Sequence, residues 1–276
     1  MHFLKGILYT SVFAGLCAVA FSMATEQLLL LQFPPVGTPL HGFIFGNTLL
    51  IYNLHYGIKK IPEGVSDRAD WTHRHPYVHP VLIVLSFLLS GICLFYLSVK
   101  VLLVSMLLGV LALGYSLPVL PFKNKKRLKD WGLLKIFLLC LVWACVTVII
   151  PMIYWEKSFD HYQVEFLLRF VLMIPLCITF DIRDMTIDRE HQIYTLPNAI
   201  GLRNAYRIID ISIVIFMLLV VWQYARYPII HRLVSGFLIA AVTKVIIELS
   251  KKYNSDLFHL LCIDGVMLLY AVLILI

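Results

Sequence analysis

The sequence predicts an all-α integral membrane protein, a bundle of about nine transmembrane helices. Of 276 residues, 61% are hydrophobic and only 14% are charged, and the mean hydropathy is +0.87. The apolar residues fall in runs near the roughly 20 residues that a helix needs to cross a hydrocarbon layer about 30 Å thick. A soluble chain of this length has too much surface to hide so much apolar matter. No run alternates with the period of two that a membrane barrel requires.

In chain order the apolar stretches are Ile7–Met23, Leu40–Tyr56, Pro80–Ser98, Val101–Leu117, Leu133–Tyr154, Glu165–Phe180, Ile208–Trp222, Ile229–Ile247 and Leu257–Leu275. The first, with Lys5 before it and Ser22-Met23-Ala24 at its end, has some signal-peptide character. Its apolar core is long for one, so it is read as a span. The third and fourth are separated only near Lys100, which calls for a tight hairpin. Aromatic residues cluster near several ends, as interfacial anchors do. All six cysteines lie inside apolar stretches without C-x-x-C spacing, so they read as small buried hydrophobes rather than a disulfide framework or a zinc site.

Charge gives orientation. The loops after the second, fourth, sixth and eighth spans hold most of the lysines and arginines, including Lys59, Lys60, Lys123–Lys129, Arg183, Arg203 and Lys251. The positive-inside rule puts these loops and the N-terminus in the cytoplasm. The net charge of +7 then reflects loops facing anionic lipid, with no nucleic-acid partner implied. The whole of 1–276 reads as a single transmembrane domain with cytoplasmic loops near 57–79, 118–132, 181–207 and 248–256. Three of these are long and hold most of the polar residues, so any chemistry belongs on that face.

The most informative segment follows the sixth span. Asp181, Asp184 and Asp188 are spaced three and four apart, which in a helix puts all three carboxylates on one face. Like charges so placed repel unless a cation holds them, and hard carboxylate oxygens with phosphate oxygens make the usual Mg²⁺ site.

Asp181–Asp188 followed by Thr195-Leu196-Pro197-Asn198-Ala199-Ile200-Gly201 resembles the second aspartate motif of the UbiA superfamily of intramembrane prenyltransferases, a D-x-x-D-x-x-x-D segment followed by T-L-P-x-x-x-G. Tyr115-Ser116-Leu117-Pro118 and the basic run Lys123–Lys129 look like that family's segment after the fourth span. The resemblance implies Mg²⁺-dependent binding of an isoprenyl diphosphate and its transfer to a hydrophobic or aromatic acceptor. Asp181, Asp184 and Asp188 would be the metal-binding and catalytic residues. Asn53, His55, Tyr115, Lys123, Arg127, Lys129 and Arg183 would contact the substrate.

The sequence departs from the family at the first motif, N-D-x-x-D-x-x-x-D. Asn53 is present, but Leu54, Gly57 and Ile61 stand where the aspartates belong. Three readings stay open. His55 with Asp67 and Asp70 rebuilds a metal site. One Mg²⁺ stays on the Asp181 cluster while Lys59, Lys60, Arg68 or Arg74 supplies the second charge. Or the protein is non-catalytic and binds lipid or a partner. A secondary transporter, with Asp264 and Lys244 as a buried pair, is a further alternative. Pro76 and Pro80 argue against helix around His73, His75 and His79, which read as interfacial loop histidines. Glu165 and Arg169, four apart near a span end, read as a surface pair.

Overall fold

In a computed structural model the described residues are 2–58, 63–64, 66–116, 132–158, 162–190 and 195–276. Among them there is no strand. The helices are α1 (His2–Tyr9), α2 (Val12–Leu30), α3 (Pro39–Ile58), α4 (Asp67–Arg74), α5 (Val78–Leu94), α6 (Val99–Ser116), α7 (Gly132–Ala144), α8 (Ile150–Tyr154), α9 (Gln163–Arg183), α10 (Met185–Glu190), α11 (Leu196–Ile200), α12 (Leu202–Arg226), α13 (Ile230–Ser250), α14 (Asp256–Phe258) and α15 (Asp264–Leu275). A π-helical turn joins α7 to α8 and another joins α14 to α15.

Among the described residues five helical segments are long and apolar enough to cross a membrane, and six if α4 and α5, bent by 85°, form one broken span. The first expected span is interrupted. Thr10 and Ser11 break it into α1 and α2, with Ser11 in the left-handed region at φ 61°. An L-residue pays about 1–2 kcal/mol for that conformation. The proline-bearing segment also differs from expectation. α4 runs through His73 to Arg74, and α5 begins at Val78 and takes Pro80 into its first turn, where a missing N–H costs nothing. His79 is therefore a buried helical residue rather than a loop histidine.

The chain forms two compact units. The first comprises residues 1–103, 151–157 and 250–276. In it α3 packs against α5 and α2, and α2 against α15. The α3–α5 contact is close because Gly42 and Gly46 carry no side chain. A Cβ on Gly42 would stand 2.7 Å from Cys93 Sγ, and one on Gly46 2.5 Å from Ser90 Oγ. This is the small-xxx-small device by which membrane helices approach when no hydrophobic force drives them together. Glu26 of α2, fully buried, anchors a polar knot in this unit. It accepts from Ser22 Oγ at 3.0 Å and from Trp155 Nε1 at 3.0 Å, and lies 2.8 Å from His41 Nε2.

The second unit comprises residues 104–150 and 158–249. Here α9 packs against both α7 and α12, with Leu168, Leu172, Leu176 and Ile178 wholly buried. Glu165 and Arg169 are buried too, contrary to the surface pair expected, and bond at 2.8 Å. Gln223 of α12 donates to the other oxygen of Glu165 at 3.3 Å. The i,i+4 spacing was legible, but the burial depends on α12 covering that face. Lys244 of α13 pairs with Asp210 and with Glu248, which corrects the expected pairing with Asp264.

Candidate functional site

The acidic segment is built by the end of α9. The helix closes at Arg183, Asp184 takes a bridge conformation at φ −86° and ψ 1°, and the chain resumes as α10. The three aspartates thus straddle a helix break instead of lining one uninterrupted helix. The backbone N–H of Asp188 still donates to the carbonyl of Asp184 at 2.8 Å, which carries the turn across the break.

Each carboxylate has its own environment. Asp181 is buried and paired with Lys135 Nζ of α7. Its second oxygen, Oδ2, is sealed from solvent and accepts no hydrogen bond among the described residues. Burial lifts its carboxyl, just beyond the apolar run that ends at Phe180, above the ordinary carboxylate range, and Lys135 pulls against that rise. Asp184 is more exposed, and Arg183 holds both its oxygens, through Nε at 2.7 Å and Nη2 at 3.0 Å. The Arg183 guanidinium also lies 5.0 Å from the Phe180 ring centre. Asp188 is buried.

The segment Thr195–Gly201 serves this turn. Asn198 donates from Nδ2 to the carbonyl of Met185 and to Thr195 Oγ1, both at 3.1 Å. That fixes the amide so that Oδ1 is left, buried and without a donor. Gly201 stops α11 at φ +80°, ψ 157°, a conformation essentially confined to glycine. The pattern of the motif was visible in sequence. The use of Asn198 as a brace and the appearance of Lys135 as partner of Asp181 were not, since Lys135 sits in an apolar run 46 positions away.

The residues present fit a hard divalent cation in part. Asp181 Oδ2 and Asn198 Oδ1 are buried oxygens with no hydrogen to accept, the donor chemistry that Mg²⁺ takes. No group of three or more His, Cys, Asp or Glu side chains gathers closely enough to hold an ion among the described residues. Two of the three carboxylates are engaged by cations of the chain itself, Asp184 by Arg183 and Asp181 by Lys135.

Asn53 lies in the first unit, wholly buried near the end of α3. Its Nδ2 donates to the carbonyls of Thr10 at 3.0 Å and Leu49 at 2.9 Å, and its Oδ1 lies 2.6 Å from His79 Nδ1. His79 Nε2 in turn lies 3.1 Å from Thr72 Oγ1. Both ends of the amide are committed to protein partners, which makes Asn53 a helix-joining residue as it stands. His55 is half-buried, its ring edge-on to Tyr56 at 5.9 Å. Asp70 accepts from the Gly64 N–H at 2.6 Å, and so it caps its own loop. Lys59, Lys60, Lys123, Arg127 and Lys129 lie outside the described residues, and Tyr115 is described only as part of α6.

Comparison with known proteins supplies the wider frame. A UbiA homolog from Archaeoglobus fulgidus bound to GPP and Mg²⁺ superposes with a TM-score of 0.64 over 98% of this chain and 99% of its own, at 14% identity. The same homolog bound to DMAPP and Mg²⁺ gives 0.55 at 15% identity, and bound to Cd²⁺ 0.58 at 15% identity, with the same coverage. At such identities the likeness is one of fold. No curated protein sequence is detectably similar to the chain. The model of the UbiA prenyltransferase family matches residues 79–261, which span the whole acidic segment and its Thr195–Gly201 brace; the chain is an integral, multi-pass member of the UbiA prenyltransferase family.

Proposed function

We propose that the protein is an intramembrane prenyltransferase, which binds an isoprenyl diphosphate with Mg²⁺ and transfers the prenyl group to a hydrophobic or aromatic acceptor. The observation that carries this reading is the buried, unclaimed oxygen of Asp181 at the end of an apolar helix. A charged group so placed is costly and is retained where it holds something. The family's solved homolog carries GPP or DMAPP with Mg²⁺, which supports that ligand class.

In this reading Asp181 and Asp188 hold the metal, with Asn198 beside them. When bound, the metal supplies the charge that stabilises the departing diphosphate. Lys135 pairs with Asp181 and orients it, and Arg183 and the basic residues Lys123, Arg127 and Lys129 hold phosphate oxygens. The C1–O bond of the prenyl diphosphate breaks with its electron pair leaving on oxygen. Apolar helices keep water from the allylic cation, the acceptor attacks C1, and the proton it loses passes to solvent or to the leaving diphosphate. The chain works as one transmembrane domain of nine spans, with the N-terminus and even-numbered loops cytoplasmic.

The test is release of inorganic diphosphate from geranyl diphosphate by the purified protein with Mg²⁺. Asp181→Asn is expected to cut the rate at least a hundredfold. Undiminished release by Asp181→Asn or Asp188→Asn sinks the assignment. One observation favours a second reading, a non-catalytic protein that binds lipid. The stretch from Asn53 to Pro62 contains no acid at all. Prenyl diphosphate binding with no release of diphosphate at any Mg²⁺ concentration would select it.

A further inference from the structure

Two thiols meet inside the second unit. Cys140 of α7 is wholly buried, Cys177 of α9 is buried beside it, and the Cys140 thiol donates to Cys177 Sγ at 4.0 Å. Both cysteines are free. Among the described residues no other cysteine is hydrogen-bonded to a thiol, and Cys17 donates to the carbonyl of Asp264 instead.

The pair lies one turn inward of the acidic segment. Cys177 precedes Asp181 by four residues and Cys140 follows Lys135 by five. Each sulfur is therefore about 6–8 Å along its own helix from a member of the Lys135–Asp181 ion pair. Joining the sulfurs takes a closure from 4.0 Å to the roughly 2.05 Å of a disulfide. Side-chain rotation and a small helix shift supply it, and α9 is soft at this level. Pro175, two residues before Cys177, has no N–H to donate to the carbonyl of Val171, and a helix bends most readily at such a gap.

The surroundings select the oxidant. Water-borne oxidants act on exposed thiolates, and these sulfurs lie sealed among apolar side chains. An apolar oxidant partitions into the same medium as the helices.

We propose that Cys140 and Cys177 are a modification site, a reversible disulfide formed by a lipid-borne hydroperoxide, which ties α7 to α9 beneath the Lys135–Asp181 pair. The sulfur of one thiol attacks the outer peroxide oxygen, the O–O bond breaks, and the lipid leaves as an alcohol that takes the thiol proton. The second thiol attacks the sulfenic acid so formed, the S–S bond closes, and the oxygen departs as water. Two thiols lose two electrons in total, and one hydroperoxide is reduced to an alcohol. No step depends on the function proposed above.

The experiment treats the purified full-length protein in phosphatidylcholine nanodiscs with cumene hydroperoxide, unfolds it in N-ethylmaleimide, and reads intact mass and peptides. Wild type is expected to lose two alkylatable thiols, to yield a peptide pair linked through Cys140 and Cys177, and to recover both thiols with dithiothreitol. Cys140→Ser and Cys177→Ser should yield no linked pair. Hydrogen peroxide, which partitions poorly into lipid, should give at least fivefold less linked product in the same time.

A wild type that keeps all six thiols, links other cysteines, or stops at sulfinic acid overturns the proposal without recourse to any variant. Equal yields from the two peroxides overturn the lipid-borne oxidant. The tie between helices is read by thermal unfolding. A bond closing a separation of 37 residues should raise the Tm by about 5 °C or more and lose that gain on reduction. A linked protein that melts no higher than the reduced one overturns the restraint.

Discussion

A buried ion pair gains little over its separated, hydrated partners, yet removing one partner is expensive because the other is stranded. Lys135 and Asp181 make such a pair. Lys135→Met is expected to destabilise the protein by about 3–5 kcal/mol, measured by denaturant unfolding in detergent, and the double variant Lys135→Met with Asp181→Asn should recover most of the loss. A single-variant cost below about 1 kcal/mol would mean that the pair behaves like a solvated one. The same arithmetic applies to Glu165 and Arg169, where Glu165→Gln removes the carboxylate bonded to a guanidinium with no exposed surface. Its expected cost is again about 3–5 kcal/mol. At this scale the sequence shows which charges sit inside apolar runs but not what faces them. Asp181, Asp184 and Asp188 stood out by spacing, whereas the Lys135 pair and the Glu26 knot are products of long-range packing, with partners up to 129 positions apart.

Helices in this fold are held by shape as much as by charge. Gly46→Ala drives a methyl against Ser90 Oγ and, at 3.2 Å, the Ser86 carbonyl. Since a backbone atom cannot swing aside, a loss of about 1–3 kcal/mol is expected, seen as a lower Tm. Gly91 is the control. A Cβ there meets nothing within 4 Å, and Gly91→Ala should be neutral or stabilising by up to about 1 kcal/mol. Equal losses at both positions would disprove the close α3–α5 approach. Most helices were legible as apolar runs, because in lipid every backbone group must be bonded within its own segment. Three features were not. The Ser11 break hides in an apolar stretch and is fixed by Arg68, 57 residues away. Pro80 sits where a proline starts a helix as readily as it ends one. The turn at Asp184 divides what the acid spacing presents as one helix.

Across the whole molecule, the composition was enough to place the chain in a membrane, and the motif Asp181–Gly201 was enough to place it in its family. The count of spans is less direct. Among the described residues five to six segments qualify by length and apolarity. Of the rest of the expected nine, α9 carries Glu165 and Arg169 within it, both of them buried. Orientation is open to direct measurement. In a variant freed of its six native cysteines, Lys125→Cys is expected to react with a membrane-impermeant maleimide only from the cytoplasmic side, and Lys157→Cys only from the opposite side. Labelling of both from one side would overturn the topology. The Glu26 knot has one more consequence, an optical one. An indole whose N–H points at a buried carboxylate sits in a local electric field that shifts its emission, so Trp155 is an intrinsic fluorophore for the first unit. Glu26→Gln should move that component of the spectrum, identified by its loss in Trp155→Phe, and give the bundle a reporter of its own integrity that needs no added dye.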